Sequence, residues 1–300
     1  MIKKIVIAAV LVSAAAIAAN AQQTKRVSTA AAPPVIFGVL NGGKSLEPIA
    51  KVENGKLAEI DVTGDQQKSF ARQYYKPATS YRMIFGGANA GSVSVKKANY
   101  PGECAANSAE SAATSKTVVL SEQVMALAAG GSFKLATSGV RRRPTAAERS
   151  EIEKLVREEF TKQKVAASAL KTLRYQNLPA LDVDGDGSPE FVGSYWVAPS
   201  NSERDLLFFI ARKSKTGDHS FGYSSFSKVT PKDVMSGELS DMDNGVGHEL
   251  LIDVLDYDGD GNAEIFTIGK AFEGDNFYVY KFGDGVWKRV FETYNYRCAY

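Results

Sequence analysis

The sequence predicts a mostly β (α+β) protein: a β-rich N-terminal domain, a linking helix and a C-terminal pair of four-stranded units. Three observations carry that reading. First, Leu181-Asp182-Val183-Asp184-Gly185-Asp186-Gly187-Ser188-Pro189-Glu190 returns as Leu255-Asp256-Tyr257-Asp258-Gly259-Asp260-Gly261-Asn262-Ala263-Glu264, 74 residues later and again between strand-like runs. Second, short apolar or alternating runs separated by glycine and asparagine turns fill residues 35–140, as strands would. Third, one capped amphipathic helix stands between these regions.

The chain opens Met1-Ile2-Lys3-Lys4, runs apolar from Ile5 and reaches Ala19-Asn20-Ala21. A basic start, a short apolar stretch and an A-x-A site form the pattern of a secretory signal peptide, residues 1–21, cleaved after Ala21. The apolar run is short and alanine-rich for a membrane span. A secreted or periplasmic protein, with no stable membrane insertion after signal cleavage, is therefore expected. Residues 22–34, polar and ending Pro33-Pro34, read as a flexible linker.

The full chain has 36 basic and 34 acidic residues, and loss of Lys3 and Lys4 brings the mature chain to zero net charge. That balance gives no reason to expect a nucleic-acid partner. Cys104 and Cys298, the two cysteines, permit one disulfide in an oxidising compartment or two separate thiols; spacing does not choose between them.

In the N-terminal domain (35–140), Val35–Leu40 is a strand candidate. Pro48–Val52 and Lys56–Ile60 flank Glu53-Asn54-Gly55, a hairpin signal. Tyr81–Phe85 and Gly91–Val95 flank a second glycine-rich turn, which lacks the lysine and following helix of a phosphate-binding loop. Val118–Leu120 and Phe133–Thr137 read as further strands, with a short helix over Glu122–Ala129. The segment 141–174 is assigned to the helix. Thr145-Ala146-Ala147-Glu148 fits a capping box, and Ile152, Leu155, Val156 and Phe160 share a face. The pattern extends through Val165, Leu170 and Leu173. Arg141-Arg142-Arg143 just upstream reads as a solvated linker in preference to an anion site.

From 175 to 300, strands are expected over Leu178–Asp182, Glu190–Val197, Asp205–Arg212 and His219–Ser227. The second unit follows with Leu250–Leu255, Glu264–Ala271, Asn276–Phe282 and Val286–Thr293. An acid loop joins the first two strands of each unit. Three alternate aspartates and a closing glutamate crowd like charges that only a cation relieves. An all-oxygen, anionic donor set suits Ca2+, so two calcium sites are expected. The glycines supply the positive φ such a tight loop needs. An EF-hand is disfavoured: its twelfth position is Gly193 in one loop and Thr267 in the other, and no helix flanks either.

These loops resemble those of the FG-GAP/VCBS repeat family, the strand–loop–strand calcium sites also seen in integrin α-subunit propellers. The likeness covers roughly residues 176–200 and 250–272 and implies propeller-blade units. Carried over position by position, it makes Asp182, Asp184, Asp186 and Glu190 side-chain ligands, with the Ser188 carbonyl. Asp256, Asp258, Asp260 and Glu264 match them, with the Asn262 carbonyl. Glutamate stands where that family more usually has aspartate.

The two histidines, His219 and His248, form no recognised catalytic motif, and no G-x-S-x-G or H-E-x-x-H occurs. The function expected is a non-catalytic binding or adhesion module with structural Ca2+, whose partner is a protein or glycan. The alternative is a periplasmic or secreted hydrolase with a carboxylate site that the sequence does not display.

Overall fold

The computed structural model describes residues 32–60, 64–99, 106–214 and 217–297. The expected signal peptide and both cysteines lie outside them. The N-terminal part contains β1 (Val35–Leu40), β2 (Ser45–Glu53), β3 (Lys56–Ala58), helix α1 (Gly64–Tyr74), β4 (Ser80–Phe85), β5 (Ala88–Asn99), β6 (Ser108–Thr114) and β7 (Ala126–Ala129). Pairing runs β1-β7-β4-β5-β6-β2, and β2 returns to β1, so six strands close into a barrel with β3 added to β2. Closure removes the exposed edges that an open sheet leaves. Phe37, Val39, Leu46, Met83, Val93 and Val95 fill the interior, and Phe70, Tyr74 and Tyr75 of the α1 region pack on them.

Three expectations fail here. Val118–Leu120 is not a strand, and of Phe133–Thr137 only Ala136 makes a bridge, to Ala88. The helix over Glu122–Ala129 is instead a turn followed by β7. That strand is short and alanine-rich because it lies between two cores: Ala126 and Ala128 face the barrel interior, and Leu127 and Ala129 face the neighbouring sheet. Tertiary burial overrides alanine's helix propensity.

The C-terminal part contains β8 (Arg141–Arg142), α2 (Ala146–Lys162), β9 (Arg174–Asn177), β10 (Ala180–Leu181), β11 (Glu190–Ser200), β12 (Glu203–Lys213) and β13 (His219–Val229). A one-turn helix α3 (Ser240–Asp243) precedes β14 (Glu249–Leu255), β15 (Glu264–Ala271), β16 (Gly274–Gly283) and β17 (Val286–Tyr296). Strands β10 to β13 and β14 to β17 form two antiparallel meanders, each with an acid loop between its first two strands. Strand β8 pairs outside β10, and β9 adds to β11.

Helix α2 begins at the expected capping box: Glu148 N–H donates to Thr145 Oγ1 at 3.2 Å and Thr145 N–H to Glu148 Oε2 at 2.7 Å. It ends well before residue 174. Lys164 adopts φ +64°, Lys164 N–H donates to the Thr161 carbonyl, and Val165 N–H reaches back to Phe160. These two bonds make a Schellman stop with lysine where glycine is usual.

The layers stack in one order. The β14–β17 sheet is covered on one face by the barrel, where Phe266, Ile268, Phe277 and Val279 meet Ile36, Ile84 and Leu127. On its other face Ile265, Val254 and Tyr280 meet Val192, Phe208 and Ile210 of the β10–β13 meander. Helix α2 covers that meander's far side through Ile152, Val156 and Phe160. Burial on both faces explains why β11, β12, β14 and β15 read as near-continuous apolar runs.

Two polar ties join the barrel to this stack. Asp253 of β14 is fully buried and accepts from Gly86 N–H at 2.8 Å, Gly87 N–H at 3.3 Å and Arg141 Nη1 at 3.1 Å. Burial pushes its carboxyl up to about 6, against the pull of Arg141. Glu47 of β2 accepts from Asn295 Nδ2 at 2.7 Å and shares Arg297 with Asp275. Burial likewise raises Glu47, to about 7.

Removing one member of a buried pair strands the other charge. Asp253→Asn should lower stability by about 3–5 kcal/mol, read from the urea midpoint, and Arg141→Met with Asp253→Leu should recover most of it. An unchanged midpoint in the single variant would show that the tie contributes nothing.

Candidate metal centre

Each acid loop leaves a buried strand and turns at once. Gly185 and Gly187 take φ of +73° and +84°, and Gly259 and Gly261 take +80° and +98°. No atom lies within 4 Å of a Cβ built at any of the four. Glycine is needed there for the sign of φ, not for space.

The same four hydrogen bonds shape both loops. The first aspartate accepts from the second glycine: Gly187 N–H to Asp182 Oδ2 at 3.1 Å, Gly261 N–H to Asp256 Oδ2 at 3.0 Å. The second accepts from the third: Asp186 N–H to Asp184 Oδ1 at 3.2 Å, Asp260 N–H to Asp258 Oδ1 at 3.3 Å. The third accepts from Ser188 N–H at 2.6 Å or Asn262 N–H at 2.9 Å. The closing glutamate reaches back: Val183 N–H donates to Glu190 Oε2 at 3.1 Å and Tyr257 N–H to Glu264 Oε2 at 3.3 Å. The 74-residue repeat therefore extends to individual bonds.

The two acid clusters can hold a metal ion. In the first loop, carboxylate oxygens of Asp182, Asp184 and Glu190 lie within 4.8 Å of one another; in the second, those of Asp256, Asp258 and Asp260 do. Asp186 stays outside the first cluster, and Glu264 outside the second. Ser188 and Asn262 contribute visibly through their N–H groups. Asp182 Oδ1 is buried and accepts no hydrogen bond from the described residues. That orphaned oxygen among carboxylates fits a cation, because a buried acceptor without a donor is costly. Burial pushes both Glu190 and Glu264 up to about 7.

The sequence reading missed two basic residues. Lys281 Nζ stands 2.6 Å from Asp258 Oδ2, 2.8 Å from Asp260 Oδ2 and 2.7 Å from Glu264 Oε1. At the first loop, Arg212 Nη2 lies 3.6 Å from Asp184 Oδ2. The two occupy equivalent places: Phe191 pairs with Ala211 and Ile265 with Tyr280, so each cation lies one step beyond, opposite the closing glutamate. They are 69 residues apart rather than 74, because the intervening hairpins differ in length. Alignment of the loops alone therefore hides them.

The loops also touch. Ala263 N–H donates to the Val183 carbonyl at 3.2 Å, and both loops line a cleft of about 370 Å3 with the barrel turn Gly86-Gly87. Elsewhere, Ser194 Oγ lies 3.2 Å from His248 Nδ1, whose Nε2 is 2.9 Å from the Met242 carbonyl. The carbonyl takes the imidazole proton, so Nδ1 accepts from serine. Both residues are buried, and burial holds His248 down at about 4. The pair clasps the two meanders together. No helix among the described residues is long and apolar enough to cross a membrane.

Against known proteins, the chain matches no family model, no curated sequence and no solved structure.

Lys281 supplies one positive charge where the first loop has only a more distant guanidinium. Lys281→Met should tighten divalent-ion binding at the second loop by at least about tenfold, since a unit charge 4 Å away is worth several kcal/mol at intermediate dielectric. Calorimetric titration of the variant checks this; unchanged affinity would mean that the ammonium does not compete with the ion.

Proposed function

We propose that the protein is an exported, calcium-binding, FG-GAP/VCBS-like module that acts by binding or adhesion rather than catalysis. In this reading it is secreted or periplasmic, and its two meanders correspond to propeller-blade units. Calcium stiffens the joint between the first two strands of each. The observation that carries the reading is the first loop: three carboxylates within 4.8 Å, one with a buried oxygen that no donor among the described residues reaches. The repeated hydrogen-bond pattern of the second loop supports it. A flexible, all-oxygen, anionic set favours Ca2+ over Mg2+, which demands near-octahedral geometry. Calcium entering the second loop displaces Lys281.

The partner is a protein or a glycan, met on a surface that the calcium-stiffened sheets hold rigid. A hydrolase reading has an acid pair in Glu47 and Asp275, but Arg297 bridges the two and occupies the space between them.

Calorimetric calcium titration tests the proposal. The parent should bind two ions at roughly 0.1–1 mM, the range of extracellular modules. Asp184→Ala and Asp258→Ala should each remove one. At tenfold saturation each site should add about 1.4 kcal/mol to stability. Binding untouched by both substitutions would reject the assignment.

A further inference from the structure

Arg141-Arg142-Arg143, read from sequence as a solvated linker, lines a second cleft of about 420 Å3 with Arg149, Tyr175 and Asn177. Some of its charge is already committed. Arg141 is held by Asp253, and Arg142 forks onto Glu148 at 2.7 and 2.8 Å. Among the described residues, neither Arg143 nor Arg149 has a carboxylate within ion-pair distance. Arg149 donates to the Tyr175 hydroxyl at 2.8 Å and lies over its ring at 4.8 Å.

Asn177, also on the cleft wall, is only 8% exposed, and neither its Oδ1 nor its Nδ2 has a partner among the described residues. A buried amide left open at both ends requires a group that donates and accepts together. Two guanidiniums without a carboxylate partner beside it favour an anion. One ligand class meets both demands.

We propose that this cleft binds a carboxylated sugar, a hexuronate unit with its carboxylate on Arg143 and Arg149 and a hydroxyl on Asn177. The planar guanidinium fork matches a carboxylate. Phosphate sites draw on free N–H groups at a helix N-terminus. Here Thr145 and Glu148 already occupy the start of α2. A hydroxyl donates and accepts through one atom, whereas a peptide unit points its N–H and C=O in opposite directions.

The inference deepens the binding-module reading and rests on it, but not on calcium occupancy. The test is calorimetry on the mature chain in millimolar calcium. The probes are a glucuronate-containing disaccharide, its neutral glucose counterpart, glucose 6-phosphate and a short peptide with a free C-terminal carboxylate. The glucuronate should bind at least about tenfold tighter than the other three, the margin of one charge-assisted hydrogen bond. Arg143→Ala, at an exposed position, should lose about tenfold, and Asn177→Ala a similar factor, with the calcium isotherm unchanged. Equal affinity for the neutral sugar, tighter binding of the phosphate or peptide, or an Arg143→Ala variant that binds as the parent does would overturn it. Glucuronate binding without any calcium binding would remove the calcium assignment and leave this one standing.

Discussion

The structure depends on one sheet whose first three strands are covered on both faces. Strands β14 to β16 carry apolar side chains on both sides: Phe266 and Ile268 point to the barrel, Ile265 and Tyr280 to the other meander. Each such side chain favours burial by about 1.5–3 kcal/mol, so the sheet is stable only when both neighbours are present. The barrel and the β10–β13 meander therefore cover its two faces through two separate apolar clusters. That packing also brings the two acid loops side by side. Val183 and Ala263 bond across the junction because the meanders that carry them are stacked face to face.

Much of this was legible in the chain. The eight strands of the two meanders follow from apolar runs whose ends are marked by the acid loops and turns, and the capping box placed the start of α2. What was hidden has physical causes. Helix α1 buries Gln67, Phe70, Ala71 and Tyr74 at helical spacing, a signal that was present in the chain and went unread because polar Gln67 and small Ala71 break the apolar stripe. The stop of α2 uses Lys164 in a left-handed conformation, so no glycine announces it. Strand β7 is made of helix-favouring alanines and a leucine, and becomes a strand only because two cores meet there. Barrel closure is a pairing between β1 and β2 and between β1 and β7, which no local pattern encodes.

At the site, the acids were legible because four carboxylates in ten residues have few structural reasons to recur. Their counter-charges were not. Lys281 and Arg212 come from the third strand of each meander and reach the loop by register, not by sequence distance. They also make the two loops chemically unequal. Lys281 contacts three carboxylates closely, whereas Arg212 stands farther off and reaches one. The first loop is left with the larger uncompensated charge and with the orphaned Asp182 oxygen, so it is the stronger attractor for a divalent cation.

A short ribbon links that loop to the arginine cleft. Arg141 and Arg142 pair with Leu181 and Ala180, and Asp182 N–H donates to the Val140 carbonyl. The strand that launches the first acid loop is therefore hydrogen-bonded along its edge to the strand that carries the cleft's arginines. Arg141 extends the same connection to Asp253, and through Asp253 to the Gly86-Gly87 turn beside both loops. Acids and arginines thus stand on opposite strands of one two-residue pairing, close enough to share a scaffold yet directed into separate clefts.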